Sequence, residues 1–389
     1  MRHETTLHEA SVHETSVHET KRHETPAHDV SDESQQTLQH PRASRLSPIT
    51  RRRMAAFRDN RRAWWSLLIF GVLFVLSLGA ELIANDRPLL VEYQGETYLP
   101  MLHEYPETTF GGFLPTATDY RDPYVIEAIE AQGFMLNTLI PYSYDTLDLN
   151  LGSPAPSAPN GRHWLGTDDQ GRDVLARVIY GFRLSVIFAL VLTAGSLVLG
   201  VVIGGVQGYF GGKVDLIGQR LIEVWSGLPV LFLLIILASI VEPNLWWLTG
   251  IMLLFSWLGI VDIVRAEFLR ARNLEYVRAA RAMGLPSRLI MWRHVLPNAM
   301  VATLTFIPFL FTGAITTLTA LDFLGFGLPA GSPSLGELVA QGKNNLQAPW
   351  LGMTAFLSLG IMLTLLVFIG EGLRDAFDPR HISAREQNA

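Results

Sequence analysis

Six apolar runs dominate the chain, at approximately 64–84, 183–207, 221–241, 246–264, 298–321 and 351–371. Each is long enough to cross a hydrocarbon core of roughly 30 Å, which takes about 20 helical residues. Between the fourth and fifth runs lies the sharpest polar break, the stretch 265–297 with Arg265, Arg270, Arg272, Arg278, Arg281, Arg288 and Arg293. A segment this basic cannot sit in hydrocarbon, and by charge bias it belongs on the cytoplasmic side. Eight further arginines between Arg42 and Arg62 precede the first run, which begins at Trp64, far too late for a secretory signal peptide. Alternating from that anchor, the 208–220 turn, the 265–297 loop and the tail with Arg374, Arg380 and Arg385 all fall inside. The connection 322–350, whose one basic residue is Lys343, falls outside. Charge bias and helix count thus agree on six spans with both termini cytoplasmic.

Region 85–182, rich in acidic residues, takes the outer side from its neighbours. It mixes short β-like runs around Glu92–Tyr98 with a predicted helix at 123–132 and a Pro/Ser/Gly linker from Gly152 to Gly161. The expectation is a small insertion without a large core of its own. Within the spans, Gly200, Gly204 and Gly208 fall four apart on one face, which permits close helix approach or reflects only the tolerance of membrane helices for glycine. Pro229 and Pro308 are expected to kink or open their helices. Thr303, Thr305, Thr312, Thr316, Thr317 and Thr319 read either as a hydroxyl-lined path or as side chains bonded to their own helix.

Composition sharpens this. The chain of 389 residues is 49% hydrophobic and only 17% charged, against about a quarter charged in soluble proteins. It has no cysteine, which removes disulfides, thiol nucleophiles and thiolate metal sites. None of Lys21, Lys213 and Lys343 is followed by Ser or Thr, so no GxxxxGK[ST] phosphate loop exists. No GxSxG elbow or HExxH occurs, and no span carries an ionisable residue near its centre. Catalysis and ion coupling both lack their usual residues, so the expectation is a non-enzyme with no catalytic or metal site and no cofactor. Residues 1–43 are different: His3, His8, His13, His18, His23 and His28 recur every five residues in a polar HETxx tract, predicted to be disordered. Five residues turn a helix by about 500°, so neighbouring imidazoles point apart. The tract reads as an inert repeat sooner than as a metal site.

The basic loop has a mechanical reading. Leu274, Val277, Ala280 and Met283/Gly284 make an apolar stripe on a short helix, leaving Arg278 and Arg281 off it, free for a partner or water. Gly284 suits a left-handed C-cap, Pro286 cannot continue the helix, and Ser287 can cap a second short helix running to Leu296. The result is a compact knob. A DNA-binding helix-turn-helix would look similar, but both ends are tied near the bilayer, so no nucleic acid is expected. A solvated loop that only sets topology is the plainer alternative.

The Ala279-Ala280, x3, Gly284, x11, Leu296-Pro297 spacing resembles the EAA loop of ABC importer permeases. Residues 163–183, HWLGTDDQGRDVLARVIYGFR, resemble the segment before the second span in the dipeptide/oligopeptide group of these permeases. So do 322–337, DFLGFGLPAGSPSLGE, and the closing GLRDAFDPR at 372–380. From about 44 to 380 the chain is similar, within that group, to second permease subunits of microcin C-type peptide importers. The resemblance implies an all-α membrane protein of six transmembrane helices, a type I ABC importer permease fold, with a periplasmic insertion after helix 1. It implies a bacterial inner-membrane subunit translocating peptides or peptide-like compounds. The implied partners are a second permease subunit (as a heterodimer), a cytoplasmic ABC ATPase that hydrolyses the ATP, a periplasmic peptide-binding protein and membrane lipid. The implied division is 1–43 tail, 44–84 basic flank and helix 1, 85–182 insertion, 183–374 five-helix core and 375–389 tail. The docking residues carried over or adjoining are Glu275, Arg278, Ala279, Ala280, Gly284, Leu296 and Pro297. Arg278 stands where the family has Glu, and His294 where it has Ile; the HETxx repeats have no counterpart. The alternative is a nickel or metal-chelate importer of the same architecture; a non-transporting scaffold and an ion-coupled carrier are the rivals.

Overall fold

The computed structural model describes residues 48–377 apart from 239, 242 and 243, so the His repeats and residues 378–389 lie outside the described residues. Helix α1 (Pro48–Asp59) and α2 (Arg61–Leu78) meet at Asn60, whose side chain accepts from Ala63 N and caps α2. A single-turn α3 (Ala80–Ile83) follows. The polar region then folds as β1 (Leu90–Tyr93), β2 (Glu96–Tyr98), α4 (Pro123–Gln132) and β3 (Gly133–Leu136), with strand order β2-β1-β3 and both pairings antiparallel. Gln94 and Gly95 both have positive φ, 54° and 83°, the type I′ geometry that suits the twist of a tight hairpin. Phe110, Tyr93, Tyr120, Val125 and Ile129 form a small buried core between sheet and α4. The fold is therefore not wholly α-helical. Period-2 patterning too short to predict a sheet is completed by β3, which pairs with β1 from beyond α4.

The remaining helices are α5 (Val174–Phe210), α6 (Gly212–Ser226), α7 (Val230–Ala238), α8 (Leu245–Ser256), α9 (Leu258–Ala271), α10 (Glu275–Ala282), α11 (Ser287–Ile290), α12 (Leu296–Leu304), α13 (Ile307–Phe323), α14 (Leu335–Asn344) and α15 (Pro349–Phe377). The first apolar run falls on α2 and α3, and the other five fall on these helices. Helices α2, α5 and α15 are each long and apolar enough to cross a membrane. Three bent pairs pass the same test jointly, giving up to six spans by length and composition. Two bends lie at prolines: 61° at the break holding Pro229, and 55° at the break before Pro308. The third, 40° between α8 and α9, has no proline and carries no sequence signal.

Two boundaries depart from expectation. Helix α5 begins at Val174, not 183, because Asp173 caps it through Ala176 N at 2.8 Å; Arg177 and Tyr180 break the apolar run over its first turns, so hydropathy picks it up late. The expected 208–220 turn is instead confined to Gly211 and Gly212, both with positive φ (62° and 54°), with α6 starting at Gly212 itself.

The main core gathers Phe188, Leu192, Leu248, Ile315, Leu318 and Leu335 from α5, α8, α13 and α14. Helix α5 lies against α9 along its glycine face. A Cβ on Gly200 would sit 2.6 Å from Ile260 Cβ, on Gly204 2.7 Å from Val261 O, and on Gly208 2.6 Å from Arg265 O. The glycines therefore form an interface. Five of the threonines bond to their own helix: Thr303 to Ala299 O, Thr305 to Ala302 O, Thr312 to Pro308 O, Thr316 to Thr312 O and Thr319 to Ile315 O.

Gly204→Ala adds a methyl against backbone, whereas Gly250→Ala meets nothing within 4 Å. Overpacking of this kind costs about 1–3 kcal/mol, so Gly204→Ala is expected to lower the melting temperature of the detergent-solubilised protein and Gly250→Ala to hold or raise it. Equal melting temperatures would remove the close seam.

Candidate functional site

The basic loop folds as a knob under α9. Val277 and Ala280 of α10 are buried with Ile260, Val264 and Phe268 of α9, with Ile290 and Val295, and with Ala299 of α12. The predicted stripe is narrower than its spacing suggested: Leu274 and Met283 are exposed, at 42% and 73%. Gly284 has φ +78°, as a left-handed cap requires. Leu285 N reaches back to Ala280 O at 3.2 Å and Gly284 N to Arg281 O at 3.0 Å, which closes the helix with a Schellman-type turn. Nothing lies within 4 Å of a Cβ at Gly284, so a substitution there is opposed by conformation rather than by crowding.

The second helix differs from expectation. Ser287 is not its cap: Pro286 holds the extended N-cap position (φ −67°, ψ 141°), and Ser287 is already helical. Nor does the helix stop at Leu296. It passes from α11 through a π-helical turn, Met291–Val295, straight into α12. Pro297 lacks the N–H that would continue α-type bonding, and the widened turn sits directly ahead of it. The knob is therefore continuous with the long helix that follows.

The carried-over residues divide by place. Glu275, Arg278, Ala279 and Pro297 are exposed, Leu296 is half-buried, and Ala280 is buried at 1% exposure, so Ala280 packs the knob instead of facing outward. Arg281 is not free: it lies over the Tyr209 ring, 5.5 Å from its centroid. Arg272 donates to Tyr209 O at 3.5 Å, and Arg265 pairs through both nitrogens with Asp215 of α6. Arg278, Arg288 and Arg293 remain exposed, beside Met283, Leu289 and Trp292 at 73%, 39% and 66%. Tyr276 and Asn298 also meet here, 2.8 Å apart, a pair that no sequence periodicity marks.

At the other end of α5, two of the resembling segments come together. Arg177 is fully buried; its Nη2 lies 3.1 Å from Glu337 and its Nε 3.5 Å from Asp168. Arg172 pairs with the same two carboxylates, at 2.7 Å with Asp168 and 3.1 Å with Glu337. Arg177 also donates to the carbonyls of Tyr144, Gly331 and Ser332. Beside this buckle, His163, 1% exposed, joins Asp173 (2.8 Å) and Asp148 (3.2 Å), and Tyr142 donates to Asp148 at 3.2 Å. Asp322 binds Leu328 N and Ser334 Oγ, folding 322–334 back on itself. The sequence showed these residues only as a resemblance; a neutral set of two arginines and two carboxylates was not deducible from it.

Bent apolar helices long enough to cross a membrane, joined by a polar knob, are the architecture of a multi-helix membrane component. The chain belongs to the family of binding-protein-dependent transport system inner membrane components, whose pattern matches residues 176–383. It is accordingly a non-catalytic permease subunit of the ABC-transporter kind. Over 336 residues it is 60% identical to the inner membrane ABC transporter permease protein YejE of Escherichia coli (strain K12), covering 86% of this chain and 98% of the relative. It is 56% identical over 369 residues to the peptidoglycan transport system permease protein YejE of Agrobacterium fabrum, covering 89% and 97%. To the oligopeptide transport system permease protein OppC of Haemophilus influenzae it is 34% identical over 241 residues, covering 62% and 77%.

Removing one member of a buried charged set costs about 3–5 kcal/mol. Arg177→Met is expected to lower the melting temperature sharply, and Glu337→Gln added to it to recover part of the loss by restoring neutrality. A further fall in the double variant would show that the charges are not balanced against each other.

For His163, burial disfavours the imidazolium, but the hydrogen bonds to Asp173 and Asp148 outweigh it and raise the pKa above the ordinary 6.5. A raised folded value stabilises fully below about 6.5 and loses that contribution as pH climbs through it. The melting-temperature gap between wild type and His163→Gln is therefore expected to narrow as pH rises from about 6 to about 8. A gap independent of pH would refute the protonated reading.

Proposed function

We propose that this chain is one of two permease subunits in a bacterial ABC importer for peptides or peptide-like compounds, microcin C-like cargo included. In this reading the chain has six spans with both termini cytoplasmic, the 85–182 insertion in the periplasm and the knob in the cytoplasm. A related permease completes the channel, a periplasmic peptide-binding protein delivers cargo, and a cytoplasmic ATPase docks on the knob. The observation that carries this reading is the outer face of the knob. Met283, Leu289 and Trp292 are each exposed, as are Arg278, Arg288 and Arg293, on one short segment whose other side packs against its own helices. Exposed large apolar side chains interspersed with arginines suit a protein partner. The transport names of the relatives support the cargo class.

The mechanism is alternating access. ATP binds the closed and open ATPase arrangements with different affinity, and that difference biases the permease. Because α10 to α12 are continuous with α9 and α13 apart from short turns, displacement of the knob moves both long helices. The nickel or metal-chelate alternative drew on the His repeats, which lie outside the described residues.

The test is uptake of a labelled or toxic peptide in cells lacking this gene. Wild type is expected to restore uptake; Gly284→Asp, which puts a charge and a disfavoured φ at the cap, is expected to insert normally and restore none. Full uptake with Gly284→Asp would refute docking through the knob, and peptide uptake indifferent to the gene would withdraw the cargo.

A further inference from the structure

At the π-helical turn the backbone ladder is interrupted and side chains gather beside it. Leu296 N reaches Met291 O, five residues back, and Pro297 has no N–H to offer Arg293 O. The next carbonyl, His294 O, is met by side chains: Asn298 Nδ2 donates to it at 3.1 Å, and Tyr276 Oη lies 3.4 Å from it. The same Asn298 Nδ2 donates to Tyr276 Oη at 2.8 Å. The triangle thus joins α10, through Tyr276, to the π turn and the first turn of α12. Otherwise α10 is held by Val277 and Ala280, small apolar contacts without direction, and by Arg281 lying over the Tyr209 ring, away from the π turn. Such a surface resists separation but permits slip. A hydrogen-bonded triangle fixes orientation.

We propose that Tyr276 is a positioning residue of the transport cycle: its hydroxyl ties the docking helix to the π turn, so that displacement of α10 is passed into α12 and α13 instead of being lost as slip. The proposal rests on the docking reading above. It places the coupling element beside the docking surface, on a residue that is itself 42% exposed but whose hydroxyl bonds within the fold. A π turn suits such a place, since its loosened bonding is a point where a helix can change direction.

The test uses the whole transporter, both permeases with ATPase and binding protein, reconstituted in vesicles with a labelled peptide whose uptake the wild type supports. Tyr276→Phe keeps the ring and removes the hydroxyl. The ATPase is expected to co-purify in normal amount and to hydrolyse ATP at close to the wild-type rate. Peptide delivered per ATP is expected to fall about fivefold or more, the lower range of measured couplings between sites. Asn298→Ala is expected to do the same, and the double variant to lose no more than either alone. Unchanged delivery per ATP, matched falls in uptake and hydrolysis, or loss of the ATPase from the Tyr276→Phe complex would each overturn the assignment. Failure of the docking reading is distinguishable, because Gly284→Asp would then leave uptake and ATPase association intact in the otherwise wild-type complex.

Discussion

Arg177 keeps its proton under all ordinary conditions, yet no part of it reaches the surface. That constraint fixes the first turns of α5. The guanidinium is tolerable only where Asp168, from the loop before α5, and Glu337, from α14, meet it along with three backbone carbonyls. Turning α5 by one residue, about 100°, would bury the same charge against apolar neighbours. Arg172 completes a neutral set by pairing with both carboxylates. The set specifies register as well as holding it, since few placements of α5, the loop at 166–173 and α14 satisfy all four charges at once. Asp322 and Ser334 extend the same logic into the segment that delivers Glu337.

From this buckle the 37-residue α5 runs to its glycine face against α9. Bare backbone-to-backbone contact there carries dispersion energy with little side-chain entropy to lose. Helix α9 then leads within a few residues to α10. One long element thus connects a charge-locked end to the knob, and several places where the chain turns or bends lie beyond it, among them the glycine pair 211–212, the break holding Pro229, the break before Pro308 and the π turn at 291–295. The Arg265–Asp215 pair ties the base of α6 to α9 beside the first of these.

How much of this the sequence revealed follows from the range of each interaction. Hydrocarbon requires about 20 apolar residues per span, so the six runs stand out, and Pro229 and Pro308 mark bends because a missing N–H is a local fact. Gly284 is equally local, and its left-handed φ could be foreseen from the Gly-x-Pro ending. Helix α5 was read nine residues short because Arg177 and Tyr180 interrupt the apolar run that hydropathy follows, while the true signal, Asp173 as cap, is one residue wide. The bend between α8 and α9 has no proline to announce it. Ser287 looked like a cap by residue type, but Pro286 already holds the extended backbone that a cap needs. Contacts across long separations were invisible: Arg177 meets Glu337 across 160 positions, and Tyr276 meets Asn298 across 22.

The arginines of the knob show why charge counting stops short of function. Orientation rules weigh every basic residue equally, because all of them resist transfer across the bilayer. A docking partner meets only those that point away from the fold. Arg265, Arg272 and Arg281 reach inward, to a carboxylate, a carbonyl and an aromatic face, and tie the 209–215 segment to α9 and α10, Arg281 while still exposed. Arg278, Arg288 and Arg293 are exposed on the same segment as Met283, Leu289 and Trp292. The inward set stiffens the surface on which the outward set is displayed. Exchanging an inward arginine for lysine keeps the charge that sets topology but loses the planar fork that grips Asp215 or stacks on Tyr209. Topology and docking therefore draw on the same residues through different properties, one through charge and the other through shape.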